Sequence, residues 1–198
     1  MLTGFRKVFD RFDMEQPSDE SIRRHFGPPL AVTWREVYGM TDEQIVVGLE
    51  VYREYYHDVG MFENNLFDGI PELIKDLHGE GVTLSTATSK PEFSASRIIE
   101  HFGLREYFTF IGAANLEGTR DSKALVVGHT LEQLNANSTT HRILMVGDRR
   151  HDVEGAREHG IDTIGVLWGY GTAEELSTAG AIALAETPRN AGDLLLNR

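Results

Sequence analysis

The chain has 198 residues, no cysteine, and 31 acidic against 19 basic side chains, for a net charge of −12. The missing thiols exclude disulfides, Cys-ligated zinc and a cysteine nucleophile, and they fit a reducing, cytoplasmic setting. The acidic excess repels polyphosphate backbones, so nucleic acid is not an expected partner, and no apolar run approaches the roughly 18 residues of a membrane span.

Residues 1–66 read as a small helical bundle. The N-terminal stretch MLTGFRKVFDRFDMEQ carries charges along its length, which excludes a secretory leader. PSDES starts a helix at Ser18, and GPPL at 27–30 breaks it. Thr41 to Gln44 form a capping box, after which Ile45, Leu49, Tyr52 and Tyr56 recur at helical spacing until Gly60. No β-branched run in this half reads as a strand.

From Phe67 the pattern alternates. Apolar runs at 81–88 (GVTLSTAT), 108–113 (FTFIGA), 142–147 (RILMVG) and 162–168 (DTIGVLW), with a weaker one at 181–186, predict strands. Between them Ala95, Ile98, Ile99 and Phe102 mark one helix face, closed by Gly103, and Val127, Leu131 and Leu134 mark another. Such alternation implies βαβ units and an α/β fold with a parallel sheet covered on both faces. Ligands in these folds bind at the carboxyl ends of the strands.

The residues after the runs are therefore the candidate site: Thr88, Ser89 and Lys90 after the first, the loop NLEGTRDSK leading to Lys123 after the second, and Asp148 and Asp152 after the third. Hydroxyls and backbone N–H groups can hold phosphate oxygens, a lysine can neutralise them, and paired carboxylates can hold Mg²⁺, a hard cation that prefers oxygen. Each residue alone has a plainer reading. Asp152 suits a helix N-cap, Thr88 a turn, and Lys123 a solvated helix start. Their order after consecutive strands is what unites them.

STATSK, then Lys123 in RDSKALVV, then MVGDRRHD resemble the second, third and fourth motifs of the haloacid dehalogenase superfamily of phosphatases. GPPL, FENNLFDGIPELI, NLEGTR and WGYGTAEEL are similar to its phosphoglycolate phosphatase group, and above all to the 5′-nucleotidase-like branch. The resemblance implies a Rossmann-like parallel sheet core at 67–198 and a helical cap at 1–66. It further implies that Thr88, with Ser89, binds the transferring phosphoryl group and that Lys123 neutralises it. Asp148 would ligate Mg²⁺ directly, and Asp152 would support the metal through water. The expected partner is a small phosphorylated metabolite, with nucleoside 5′-monophosphates ranked above phosphoglycolate. Arg24 and the GPPL turn are candidate specificity contacts on the cap.

The superfamily's first motif, Asp-x-Asp at the tip of a central first strand, is absent. In relatives its first aspartate attacks phosphorus and its second is the general acid and base. Asp10 and Asp13 are the nearest candidates, but their spacing is three rather than two and they follow Arg6 and Lys7 instead of an apolar strand. The expectation is a chain begun too late, inactive as it stands, whose strands before Thr88 and Asp148 either face a gap or close on each other. Two other readings remain: a non-catalytic phosphate-binding or regulatory protein, and a receiver domain. In a receiver domain the acidic pair comes first and the lysine last, the reverse of the order here. GYG at 169–171 lacks the third glycine of a dinucleotide fingerprint.

Overall fold

The computed structural model describes residues 2–25, 30–116 and 118–197. The chain divides into two compact units, Met1–Asn64 and Asn65–Arg198.

The first unit is helical: α1 (Leu2–Arg11), α2 (Asp19–Arg24), α3 (Leu30–Glu36) and α4 (Asp42–Tyr55), the last continued by a π-helical turn at Tyr56–Gly60. Ser18 caps α2 by accepting from the Ser21 N–H. Thr41 and Gln44 form the reciprocal capping box that the sequence signals, with the Thr41 N–H donating to Gln44 Oε1 at 2.9 Å. Of the GPPL turn, residues 27–29 lie outside the described residues and Leu30 opens α3. Phe5, Val8 and Phe9 of α1 meet Trp34, Ile45 and Tyr52 in one buried cluster. Gly48 makes that approach possible, since a Cβ there would come within 3.1 Å of Val8 and 3.2 Å of Trp34.

The second unit alternates α5 (Ile70–Gly79), β1 (Ser85–Pro91), α6 (Glu92–His101), β2 (Phe110–Ala114), α7 (Lys123–Gln133), β3 (Leu144–Gly147), α8 (Arg150–Arg157), β4 (Asp162–Val166), α9 (Ala173–Ala179), β5 (Ala183–Ala185) and α10 (Pro188–Leu196). All strand pairs are parallel. The first strand starts later and runs further than its apolar run suggests. It continues through Ser89 and Lys90 to Pro91, with a register shift between Thr88 and Pro91.

The strands form two sheets, β1–β2 and β3–β4–β5, and β1 and β3 do not pair. Of the two outcomes anticipated for these strands, closing on each other does not occur. Burial follows the split. The residues of β2 and β4 are mostly buried, those of β1 are at best half-buried, and Val146 in the middle of β3 is 39% exposed.

Helices cover both faces. Alternation along β2 sends Ile111 and Ala113 into a cluster with Ala95 and Ile99 of α6, while Gly112 faces Thr130 of α7. On the α7 side, Val127, Ala156 of α8 and Ile161 gather Ala87 of β1 and Met145 of β3 into a single cluster. That apolar contact, bridging β1 and β3 without backbone pairing, ties the two sheets into one unit.

Candidate active site

Lys123 links β1, at Ala87, to the helix turn that follows β3, at Asp152. Ser122 caps α7 by accepting from the Leu125 N–H, which makes Lys123 the first residue of the helix. The preceding loop is folded back by Asn115, whose Oδ1 accepts from the Arg120 N–H at 2.9 Å, and by Arg120, whose Nε donates to Ala113 O at 2.7 Å. The Lys123 stem lies on α8 at Gly155, where a Cβ would come within 2.6 Å of Lys123 Cγ. Its ammonium then donates to Ala87 O at 2.6 Å and pairs with Asp152 Oδ1 at 2.7 Å, with the two side chains only 15% and 11% exposed. Two of its three N–H donors are used, leaving one for a ligand.

Asp152 is held from both sides. Its Oδ2 accepts from the backbone N–H groups of Asp148 at 3.1 Å and Arg149 at 3.0 Å. It is the third residue of α8 and not its N-cap, a position that Arg149 occupies. A carboxylate there satisfies N–H groups that the helix start leaves orphaned and faces the positive end of the helix dipole. Gly147 permits the fold-back, because any Cβ at 147 would overlap the Asp152 side chain.

Asp148 follows the tip of β3, half-buried, with Oδ2 accepting from the Tyr170 N–H at 2.7 Å. Its Oδ1 accepts no hydrogen bond from the described residues. Thr88 is half-buried in β1, at the last paired position before the register shift, and its hydroxyl accepts from the Lys90 N–H at 3.2 Å. Ser89 is exposed beside it. Lys123, Asp152 and Asp148 are thus joined by direct contacts, and the carbonyl that Lys123 holds belongs to the residue before Thr88.

The remaining candidates lie elsewhere. Arg24 pairs with Glu20 on an exposed helix face. Asp10 accepts from Gln16 at 2.6 Å near the end of α1, and Asp13 lies in a turn at φ +50°, both in the first unit. Neither is on a strand tip.

Several residues at this edge escape a reading by motif. Glu175 of α9 accepts from Arg149 Nε at 3.0 Å and from the Arg150 N–H at 2.9 Å, and these bonds hold its carboxyl below the usual carboxylate range. Gly169 and Gly171 pack against Asp148. The WGYGTAEEL stretch carries all three, and GYG directly after an apolar run was the available signal.

The donor set suits a hard cation only in part. Among the described residues no group of three or more His, Asp or Glu side chains converges on one point. The free Asp148 oxygen, with Asp152 directed away to backbone and lysine, matches an ion that takes one or two protein carboxylates and keeps several waters, as Mg²⁺ does. No helix of the described residues is long and apolar enough to cross a membrane.

The sequence is similar to that of the tyrosine-protein kinase PtkA of Mycobacterium tuberculosis, 41% identical over 175 residues that span 88% of this chain and 58% of that protein. The chain thus covers under two thirds of that relative. It is also 37% identical to a 5′-nucleotidase of Pseudomonas aeruginosa over 166 residues, 84% of this chain and 74% of that one. A phosphatase structure from Clostridium difficile superposes with a TM-score of 0.91 at 35% identity, covering 98% of this chain and 89% of that one. The model of the haloacid dehalogenase-like hydrolase family matches residues 1–166. With the order Thr88, Lys123, Asp148 at the strand ends of a parallel α/β unit, this chain belongs to the haloacid dehalogenase-like hydrolases.

Proposed function

We propose that this protein is the phosphate-binding and cation-binding part of a Mg²⁺-dependent phosphatase acting on small phosphomonoesters, nucleoside 5′-monophosphates before phosphoglycolate. The observation that carries the reading is the Lys123 ammonium, largely buried between Ala87 O of β1 and Asp152 after β3, with one donor to spare. A phosphoryl group beside Thr88 would receive that N–H and the Thr88 hydroxyl. Asp148 Oδ1 would hold Mg²⁺, which when bound supplies positive charge against the phosphoryl oxygens. Asp152 keeps Lys123 oriented and holds the turn that presents Asp148. The 5′-nucleotidase relative supports the substrate class, and a small phosphorylated metabolite in the cytoplasm suits a cysteine-free, acidic chain better than nucleic acid does.

Turnover needs a carboxylate that attacks phosphorus, displaces the alkoxide and is later released from the aspartyl-phosphate by water. It also needs an acid to protonate the leaving oxygen. Among the described residues of the second unit, Asp148, Asp152 and Glu175 are the carboxylates bonded to this edge, and each already holds a backbone N–H. We assign the pair to an Asp-x-Asp-ending strand, supplied from outside these 198 residues, that enters between β1 and β3. The same observation favours a second reading for the chain acting alone: it binds phosphate without hydrolysing it.

The experiment compares the 198-residue protein with a version extended by an N-terminal apolar strand ending in Asp-x-Asp. Both are assayed with Mg²⁺ on p-nitrophenyl phosphate, nucleoside monophosphates, phosphoglycolate and phosphotyrosine. Hydrolysis only in the extended protein is expected. Ordinary phosphatase rates in the 198-residue protein, lost on Asp10→Asn or Asp13→Asn, would overturn the assignment.

A further inference from the structure

The stretch Gly169-Tyr170-Gly171 leaves β4 and wraps the first residues after β3. Its contacts are almost all backbone. The Tyr170 N–H donates to Asp148 Oδ2 at 2.7 Å, while the Tyr170 side chain is 84% exposed. Any Cβ at Gly169 would overlap the Asp148 carboxylate, and any Cβ at Gly171 would overlap the Asp148 backbone carbonyl. The next residue, Thr172, caps α9, and three residues on Glu175 returns to Arg149 Nε and the Arg150 N–H. The segment therefore grips the turn at 148–150 twice, once on the Asp148 side chain and once on the backbone that follows.

Both glycines have ordinary negative-φ backbone, so backbone freedom is not their reason. What they supply is room for a main chain to close on a carboxylate. One carboxylate oxygen is consumed by that closure and the other is left over.

We propose that Gly169–Gly171 is a positioning clamp that fixes the Asp148 carboxylate in one orientation, with Oδ2 tied to the loop and Oδ1 turned out as the cation-ligating atom. The proposal rests on the reading of Asp148 as the Mg²⁺ ligand for its consequence, though not for its geometry. A carboxylate free to rotate would lose orientational entropy on every binding event, whereas one already held by a charge-assisted N–H bond does not. Pre-fixing of this kind tightens binding without adding a ligand.

Three variants separate the clamp from a merely structural loop: Gly169→Ala, whose methyl would overlap Asp148 Cβ and so pushes the carboxylate and its turn off the loop; Tyr170→Ala, which removes the exposed ring and keeps the N–H; and Asp148→Asn. In the ¹⁵N-labelled 198-residue protein the residue-170 amide should be protected from solvent exchange in wild type and Tyr170→Ala, and unprotected in Gly169→Ala. Titration with Mg²⁺, followed through the amide shifts of residues 147–152, should give the same midpoint within twofold for wild type and Tyr170→Ala. For Gly169→Ala, titrated well below its melting temperature, the midpoint should rise at least tenfold. A structural role alone predicts a lower melting temperature with an unchanged midpoint, and that result overturns the clamp. So does an unprotected Tyr170 amide in wild type. Protection in wild type, lost in Gly169→Ala, with no Mg²⁺ response in any protein including Asp148→Asn, supports the clamp and sinks the metal reading of Asp148.

Discussion

Replacing Lys123 by methionine tests the centre of the site as a stability measurement, independent of any substrate. Methionine keeps most of the apolar stem on Gly155 and removes the ammonium, leaving Asp152 without its partner and Ala87 O without its donor. Breaking a buried ion pair from one side costs about 3–5 kcal/mol when the surviving charge is stranded. Asp152 is not wholly stranded, because Oδ2 keeps two backbone N–H donors. The expected loss is therefore smaller, about 2–3 kcal/mol, which corresponds to a drop of about 1–1.5 M in urea midpoint at an ordinary m-value. Urea unfolding of the second unit can be followed through Trp168 in a Trp34→Phe background, since Trp34 belongs to the first unit. Asp152→Asn alone should also destabilise, by exposing Lys123 to burial without a counter-charge. The double variant should lose about 1–2 kcal/mol less than the sum of the two singles, the signature of coupled neighbours. Strict additivity, or a Lys123→Met midpoint within about 0.2 M of wild type, would refute the pairing and with it the placement of the ammonium at the strand ends.

Other expectations follow from single contacts. Glu175→Gln should flatten the acid limb of the stability curve. The folded-state pKa of Glu175 lies below its ordinary 4.5, so its contribution is present above the unfolded value and is lost as pH falls through the folded one; a melting curve compared at pH 7 and pH 3 reads the difference, and identical pH profiles would contradict the bonds to Arg149 and Arg150. Gly112→Ala forces a methyl onto Thr130 and the Thr86 carbonyl and should destabilise the second unit by about 2–4 kcal/mol, measured by denaturant midpoint. Thr41→Ala removes a cap and should cost the first unit about 1 kcal/mol, read from Trp34 fluorescence in a Trp168→Phe background. Asp148→Asn should weaken Mg²⁺ binding more than Asp152→Asn does, because only Asp148 has an oxygen free of protein donors; calorimetric titration with equal losses would equate the two.

The readable parts of this fold were those written in local patterns. A capping box needs only Thr41 and Gln44 three apart, and α4 begins there. The strand at 144–147 needs only a short apolar run before a glycine, although it starts two residues later than that run. The apolar run at 81–88 begins four residues before the first strand, Ser85–Pro91, and stops three short of its end, where Ser89 and Lys90 read as a polar loop. Parallel pairing with β2 nonetheless carries the backbone on to Pro91, a tertiary effect that overrides propensity. Order along the chain was enough to nominate Lys123 and Asp152 together. Their contact geometry was not, since it depends on Gly147 and Gly155, which no pattern marks as special until their neighbours are known. The clamp on Asp148 lay further out of reach: a glycine chosen for the room it leaves looks in sequence like a glycine chosen for a turn.

The separation of β1 from β3 also bears on how the protein behaves in solution. Strand edges carry rows of N–H and C=O groups that can template pairing with another chain, and natural sheets usually blunt them. Here Val146 leaves apolar surface beside one such edge, and at the other an ammonium on Ala87 O does the blunting. Mutual repulsion between chains of net charge −12 is then the main defence against association. That defence is ionic. Raising the salt concentration screens it within a few ångströms while leaving the edges as they are, so the 198-residue protein should be more prone to self-association in high salt than in low, and an occupant of the split should protect it in both.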